Sequence, residues 1–168
     1  MGDSKNIKKY ETYKKMKADL SKSMKAGFYY EAIFIEYAIM EDRCLSVLKH
    51  SGVKYVDNRG WELKLSAKLN KLKSHSAFSD PYIRKRITLE MIGDIEIWKR
   101  DRDVLIHNLA KIPYDHEQVK QIAERGQLLT NLLDNKVRSV NRYYDKQMIL
   151  TTNKLVVDNE KTERKDQK

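Results

Sequence analysis

Turn-forming residues are scarce in this chain. Six Gly and two Pro are spread over 168 residues. A β-sandwich needs a turn about every 8–12 residues, so this supply is too small for one and favours long helices. The length suits one domain, and 40% hydrophobic residues suffice for one core. No internal repeat and no strand-like run long enough to build a sheet is present. The expectation is an all-α helical bundle of four to five helices.

The apolar spacing predicts where those helices lie. Residues 1–25 hold eight Lys against Asp3, Glu11 and Asp19. Ile7, Tyr10, Tyr13, Met16 and Leu20 recur every three to four positions. Residues 1–26 therefore read as a Lys-rich helix or arm: either a solvated face or a segment that contacts phosphates. A strong helix is predicted from Phe28 to Lys49. Its stripe is Ile33, Tyr37, Met40, Cys44 and Leu48, flanked by Phe34, Ala38 and Leu45. Tyr29, Ala32, Ile35 and Ile39 make its other side apolar too, as in a helix central to a bundle or shared with a partner subunit.

Further helices are predicted over Trp61 to Leu72, Pro81 to about Lys99, Arg102 to Ala110, and Asp115 to about Lys146. Lys64, Lys68, Lys71 and Lys73 are expected off the apolar side of the first. Asp80-Pro81 is a capping side chain followed by proline. Asp101 breaks the apolar pattern and reads as the cap of a new helix, which Pro113 ends. Beyond Met148 the pattern fades. Leu155-Val156-Val157 reads as a short extended patch, and 158–168 as a disordered polar tail.

Composition excludes several function classes. One cysteine, Cys44, permits no internal disulfide and no Cys-based zinc cluster. No glycine-rich phosphate loop, dinucleotide fingerprint or His-Glu-x-x-His motif is present, so no metal and no cofactor is expected. His50 and His75 lie near helix ends, where a surface histidine meeting the helix dipole is the ordinary explanation. No run approaches the ~18 apolar residues of a membrane span. Asn6 breaks a myristoylation pattern, and no secretory signal follows Met1, so a cytoplasmic protein without membrane contact is expected. The formal charge of +10 points to an anionic partner such as RNA or DNA.

One segment carries chemistry: Trp98-Lys-Arg-Asp-Arg-Asp-Val-Leu-Ile-His107-Asn108. Arg102 and His107 are about 140° apart on a helix and flank one broad polar face. Asp103 and His107 are four apart, so the carboxylate can touch the imidazole and fix its tautomer. Placed in a first helical turn, Arg102 would sit where free N–H groups welcome an anion. Lys111 extends the same face.

In this segment the chain resembles the HEPN family, the higher eukaryotes and prokaryotes nucleotide-binding domains. The family signature is an arginine, four to six residues, then histidine. Arg102 through His107 fits the four-residue form, and Arg100 through His107 the six-residue form, so the choice of arginine stays open. Tyr29–Leu48, Leu65-x-x-Lys68-Leu69-x-x-Leu72 and Ile95-x-x-Trp98 are similar to the family's other helices. The resemblance covers roughly residues 27–145, within an expected HEPN-like bundle over 27–147 that is followed by a partly disordered C-terminal tail, 148–168.

What the resemblance implies is a metal-independent endoribonuclease, as in many toxins and phage-defence effectors. Arg102 and His107 would be catalytic, with Asp103 and Asn108 supporting. RNA is the expected partner, drawn in by Lys99, Arg100 and Lys111. An acid and a base are two groups, and one chain offers one motif histidine. The resemblance accordingly implies a homodimer that joins two motifs in one cleft. An antitoxin or defence-system protein is a further expected partner. Some family members carry Tyr two residues after the histidine as a modification target; Leu109 stands there in this chain. A non-catalytic module binding RNA, a nucleotide or a partner protein is the alternative, since fold does not fix function.

Overall fold

The structure is a computed structural model that describes residues 2–74, 79–109, 111, 113 and 115–163, with side chains between 7 and 151. Among these residues it has six helices: α1 (Gly2–Ala26), α2 (Tyr29–His50), α3 (Leu65–Ser74), α4 (Pro81–Arg86), α5 (Leu89–Asn108) and α6 (His116–Glu163). The only β pairing described is an isolated bridge between Val56 and Glu62. The all-α class therefore holds, with six helices among the described residues where four to five were expected. His75, the stretch 75–78, Ala110 and residues 164–168 lie outside the described residues.

Helix α2 is the centre. It packs along α6, with α1 and α3 also against it, while α5 lies on α6 and α3. Ile33, Met40, Cys44 and Leu48 are buried as predicted, and so are Ala32 and Ile39 on the second side. Neighbours on several sides explain why the apolar pattern of α2 is so broad. Phe34 and Ala38 are exceptions: both are exposed, Phe34 half so on the side facing α5.

The N-terminal segment is a helix that packs on the bundle. Tyr13 and Leu20 are buried, Met16 and Met24 partly so, while Ile7 and Tyr10 remain exposed. Each buried apolar side chain contributes about 1.5–3 kcal/mol, enough to hold α1 in place. Gly27 (φ +76°) ends it: the Phe28 N–H reaches the Ser23 carbonyl at 2.8 Å and the Gly27 N–H that of Met24. This reversal requires a left-handed residue, which glycine supplies at least cost.

Four helix boundaries differ from the sequence expectation. The helix predicted from Trp61 starts only at Leu65, and Trp61 is exposed. Asp57 accepts the Arg59 and Trp61 N–H groups at 2.8 and 2.9 Å, which holds a tight turn there instead. The predicted Pro81–Lys99 helix is two helices. Asp80 caps the first, accepting from the Tyr82 and Ile83 N–H groups, and Thr88 caps the second, accepting from the Met91 N–H at 3.2 Å. The break expected at Asp101 does not occur. Asp101 reaches solvent and pairs with Arg125 at 3.4 Å, so α5 runs straight through it. Helix α6 continues past the expected end near Lys146 to Glu163, so 155–157 is helical rather than extended and 158–163 is helical rather than disordered.

Charges also enter the interior. Lys68 is fully buried between Leu65, Leu69 and Leu72 rather than off the apolar side. Its Nζ reaches Glu62 at 2.6 Å and pins the 53–64 loop to α3. The Glu36 carboxyl is buried against Gly126 and Trp98, and neither oxygen has a hydrogen-bond partner among the described residues. A methyl group at Gly126 would overlap Glu36 Oε2 and come within 2.6 Å of the Trp98 indole nitrogen. Overpacking typically costs about 1–3 kcal/mol, against up to ~1 kcal/mol gained in helix propensity. Gly126→Ala is therefore expected to lower stability by about 1–2 kcal/mol in urea unfolding, and an unchanged or higher midpoint would contradict this packing.

Candidate active site

Helix α5 carries the Arg–His segment and is fixed at three places. The buried Trp98 donates its indole N–H to the Ile122 carbonyl of α6 at 2.9 Å. Arg125 of α6 bridges Asp101 and Asp94, at 3.4 and 3.7 Å. Glu96 pairs with Lys73 of α3. Because α5 is unbroken from Leu89 to Asn108, the spacing of its side chains follows regular helix geometry throughout.

That geometry separates the two candidate arginines. Arg100 and His107 are seven residues apart, two turns, and lie on one face. Both are exposed, and the exposed Val104 stands between them. Arg102 points elsewhere. Its guanidinium contacts Asp103 at 2.9 Å and lies 4.5 Å from the Tyr37 ring and 5.4 Å from that of Phe34, both on α2. Arg102 Nε is buried without a hydrogen-bond partner among the described residues. Stacking and ion pairing together make Arg102 part of the α2–α5 contact. It sits mid-helix, far from the free N–H groups of a first turn.

Asp103 is engaged away from His107. Burial favours its neutral form, but hydrogen bonds from Lys99 at 2.5 Å and from Arg102 outweigh that and hold its carboxyl below the usual range. No hydrogen bond or ion pair among the described residues joins it to His107. The expected carboxylate–imidazole contact is thus replaced by an Asp103 clamp on two cations. Lys99 is correspondingly tied down, whereas Arg100 and Lys111 are exposed. The Lys111 N–H closes the end of α5 on the Asn108 carbonyl at 2.9 Å.

Beside this face lies a cleft of about 590 Å³ between the C-terminal half of α5 and the start of α6. Arg100, Asn108 and Arg125 supply polar groups to its wall, while Val104, Leu105 and Leu109 supply apolar surface. His107 is not among its lining residues. Arg125 was not predicted from sequence: its role depends on Asp101, 24 residues away, and no local pattern reports that. Gly126 beside it was a readable signal, since glycine within a long helix often marks close approach of another group.

Among the described residues no three His, Cys, Asp or Glu side chains are grouped to hold a metal ion, and no helix is long and apolar enough to cross a membrane. Cys44 is fully buried, and burial pushes its thiol up to about 12, unsuited to nucleophilic chemistry. No protein-family model matches the chain, and neither a curated protein nor a solved structure matches it.

Proposed function

We propose that this protein is a metal-independent endoribonuclease of the HEPN kind. The observation that supports this reading best is the shared exposed face of Arg100 and His107 on one continuous helix. Histidine titrates near neutrality and can remove the proton from a ribose 2′-OH or return one to the leaving 5′-oxygen. An arginine fork stabilises the negative charge that builds on the phosphorus between those events. One chain supplies one such histidine. The reaction therefore needs two α5 helices from two copies, meeting on the face where Ile97 and Val104 are exposed. On this reading Arg100 holds phosphate, and Arg102 positions α5 against Tyr37. A toxin or defence role, and an antitoxin or defence-system partner, belong to the same proposal.

The test is cleavage of an end-labelled single-stranded RNA in EDTA. Wild type is expected to leave a 2′,3′-cyclic phosphate. His107→Ala and Arg100→Ala should each lose about 10²-fold or more in rate. Arg102→Ala decides between the arginines: near-normal cleavage assigns the phosphate to Arg100, and complete loss assigns it to Arg102. Undiminished cleavage by His107→Ala would sink the reading.

A non-catalytic HEPN-like module is the second reading. It is favoured by the engagement of Arg102 within its own chain and by an imidazole that no carboxylate among the described residues orients. It predicts RNA binding with no cleavage by any variant.

A further inference from the structure

We propose that the groove between α1, α2 and α6, on the side of the α2–α6 pair away from α5, holds the sugar–phosphate backbone of single-stranded RNA. The groove has a volume of about 1100 Å³. Its walls carry cations from different helices: Lys9, Lys14 and Lys17 on α1, Arg138 and Arg142 on α6. Arg43 of α2 forms part of its floor.

The carboxylates beneath the floor do not neutralise it. Asp134 is fully buried and is shared by Lys17, by Arg43 at 2.8 Å and by Arg138 at 3.1 Å. Asp42 takes Lys9 at 2.9 Å and the Tyr13 hydroxyl at 2.7 Å. Arg43 also stacks on the Tyr13 ring at 3.8 Å. These contacts fix the inner cations in position, so they lose little freedom when an anion arrives. Lys14 and Arg142 remain on opposite walls with no carboxylate in ion-pair range among the described residues, and Arg138 is half exposed. Among the described residues Asp145 is the one acid that lines the groove, and it faces His50 at 3.8 Å.

Phosphate backbone fits this arrangement better than a carboxylate-rich peptide does. Lys14 and Arg142 present charge from two walls toward one channel, as a continuous chain of anions requires. Asn135 and Asn141 add neutral donors and acceptors suited to sugar and phosphate oxygens. Tyr10, exposed at the rim between Lys9 and Lys14, offers a free ring on which a base can stack. The choice of RNA among nucleic acids rests on the ribonuclease reading above; the affinity for a phosphate backbone does not.

The experiment is fluorescence anisotropy with a labelled 2′-O-methyl RNA, whose blocked 2′-oxygen prevents cleavage, measured from low to moderate salt. Lys14→Ala/Arg142→Ala changes two exposed side chains, and circular dichroism confirms its fold. We expect about tenfold weaker binding at low salt. The slope of log K against log salt should shrink by ~1.4, the release of two single-strand phosphate contacts. Wild-type affinity and slope in the double variant, no binding by wild type, or equal competition by polyglutamate would each overturn the inference. Cleavage of unmodified RNA is scored separately. Loss of binding in the double variant with no cleavage by wild type upholds the groove and rejects the ribonuclease. Intact binding in the double variant, with cleavage that depends on His107, does the reverse.

Discussion

Replacing Glu36 by glutamine is expected to make the protein more stable at neutral pH, by roughly 3 kcal/mol, and to remove most of its pH dependence between pH 5 and 8. Glu36 is fully buried, and neither carboxylate oxygen has a hydrogen-bond partner among the described residues. With no cation beside it among the described residues, burial acts on it and pushes its carboxyl from 4.5 up to about 9. Between these two values the unfolded chain is ionised at this position while the folded chain stays protonated. The folded state thus holds one proton more, and stability falls by ~1.4 kcal/mol per pH unit over that window. The stability is fully present below the unfolded value and is lost as pH rises toward the folded one. Glutamine is nearly isosteric and has no charge to bury. The difference between Glu36→Gln and wild type should therefore be small at pH 4.5 and grow with every unit above it. Urea unfolding at four pH values measures this directly. Two parallel stability curves would show that Glu36 ionises in the folded protein or finds a partner there.

Glu36 also shows what could be read from sequence and what could not. It lies three after Ile33 and four before Met40, within the inner stripe of α2, so its burial follows from spacing alone. Arg43 lies beside the same stripe. Their consequences are opposite because of residues elsewhere in the chain: Arg43 meets Asp134 of α6, while Glu36 meets Gly126 and the Trp98 ring. The long helices were legible because many apolar residues agree on one period. Their ends were less so. Thr88 and Asp101 are both capping residue types, and periodicity could not choose between them. The choice was made by Arg125, which holds Asp101 on the outside of a continuous helix. That one boundary decides the candidate site. With a break at Asp101, Arg102 would belong to a helix start; without one, Arg100 and His107 share a face.

Asp134→Ala is expected to destabilise the protein by roughly 3–5 kcal/mol and to loosen α1. Asp134 is fully buried on α6 and meets cations from three helices: Lys17 of α1, Arg43 of α2 and Arg138 of α6 itself. Lys17 and Arg138 are exposed enough to turn to water once the carboxylate is gone. Arg43 is not: only 10% of its side chain is accessible. The cost is therefore dominated by a guanidinium left buried without its counter-charge. A domain of this size should lose on the order of 10 °C in Tm, and α1 should become cleavable at the Ala26–Phe28 junction in limited proteolysis. The double variant Arg43→Met/Asp134→Leu separates this cause from general damage. With both charges replaced by apolar groups, most of the lost stability should return. A double variant no better than Asp134→Ala would show that the pair matters through shape rather than charge. The pH response has the opposite sign to that of Glu36. Burial favours the neutral form of Asp134, but the Lys17 hydrogen bond and the charges of Arg43, Lys17 and Arg138 hold its carboxyl below the usual range. Its contribution is present above the unfolded value near pH 4 and is lost as pH falls toward the folded one. Asp42, Asp80 and Asp103 are lowered in the same way by hydrogen bonds that outweigh their burial. Wild-type stability should accordingly peak near pH 4–5, below the usual neutral plateau. Glu36→Gln should carry that peak up toward neutrality, because it removes only the alkaline arm.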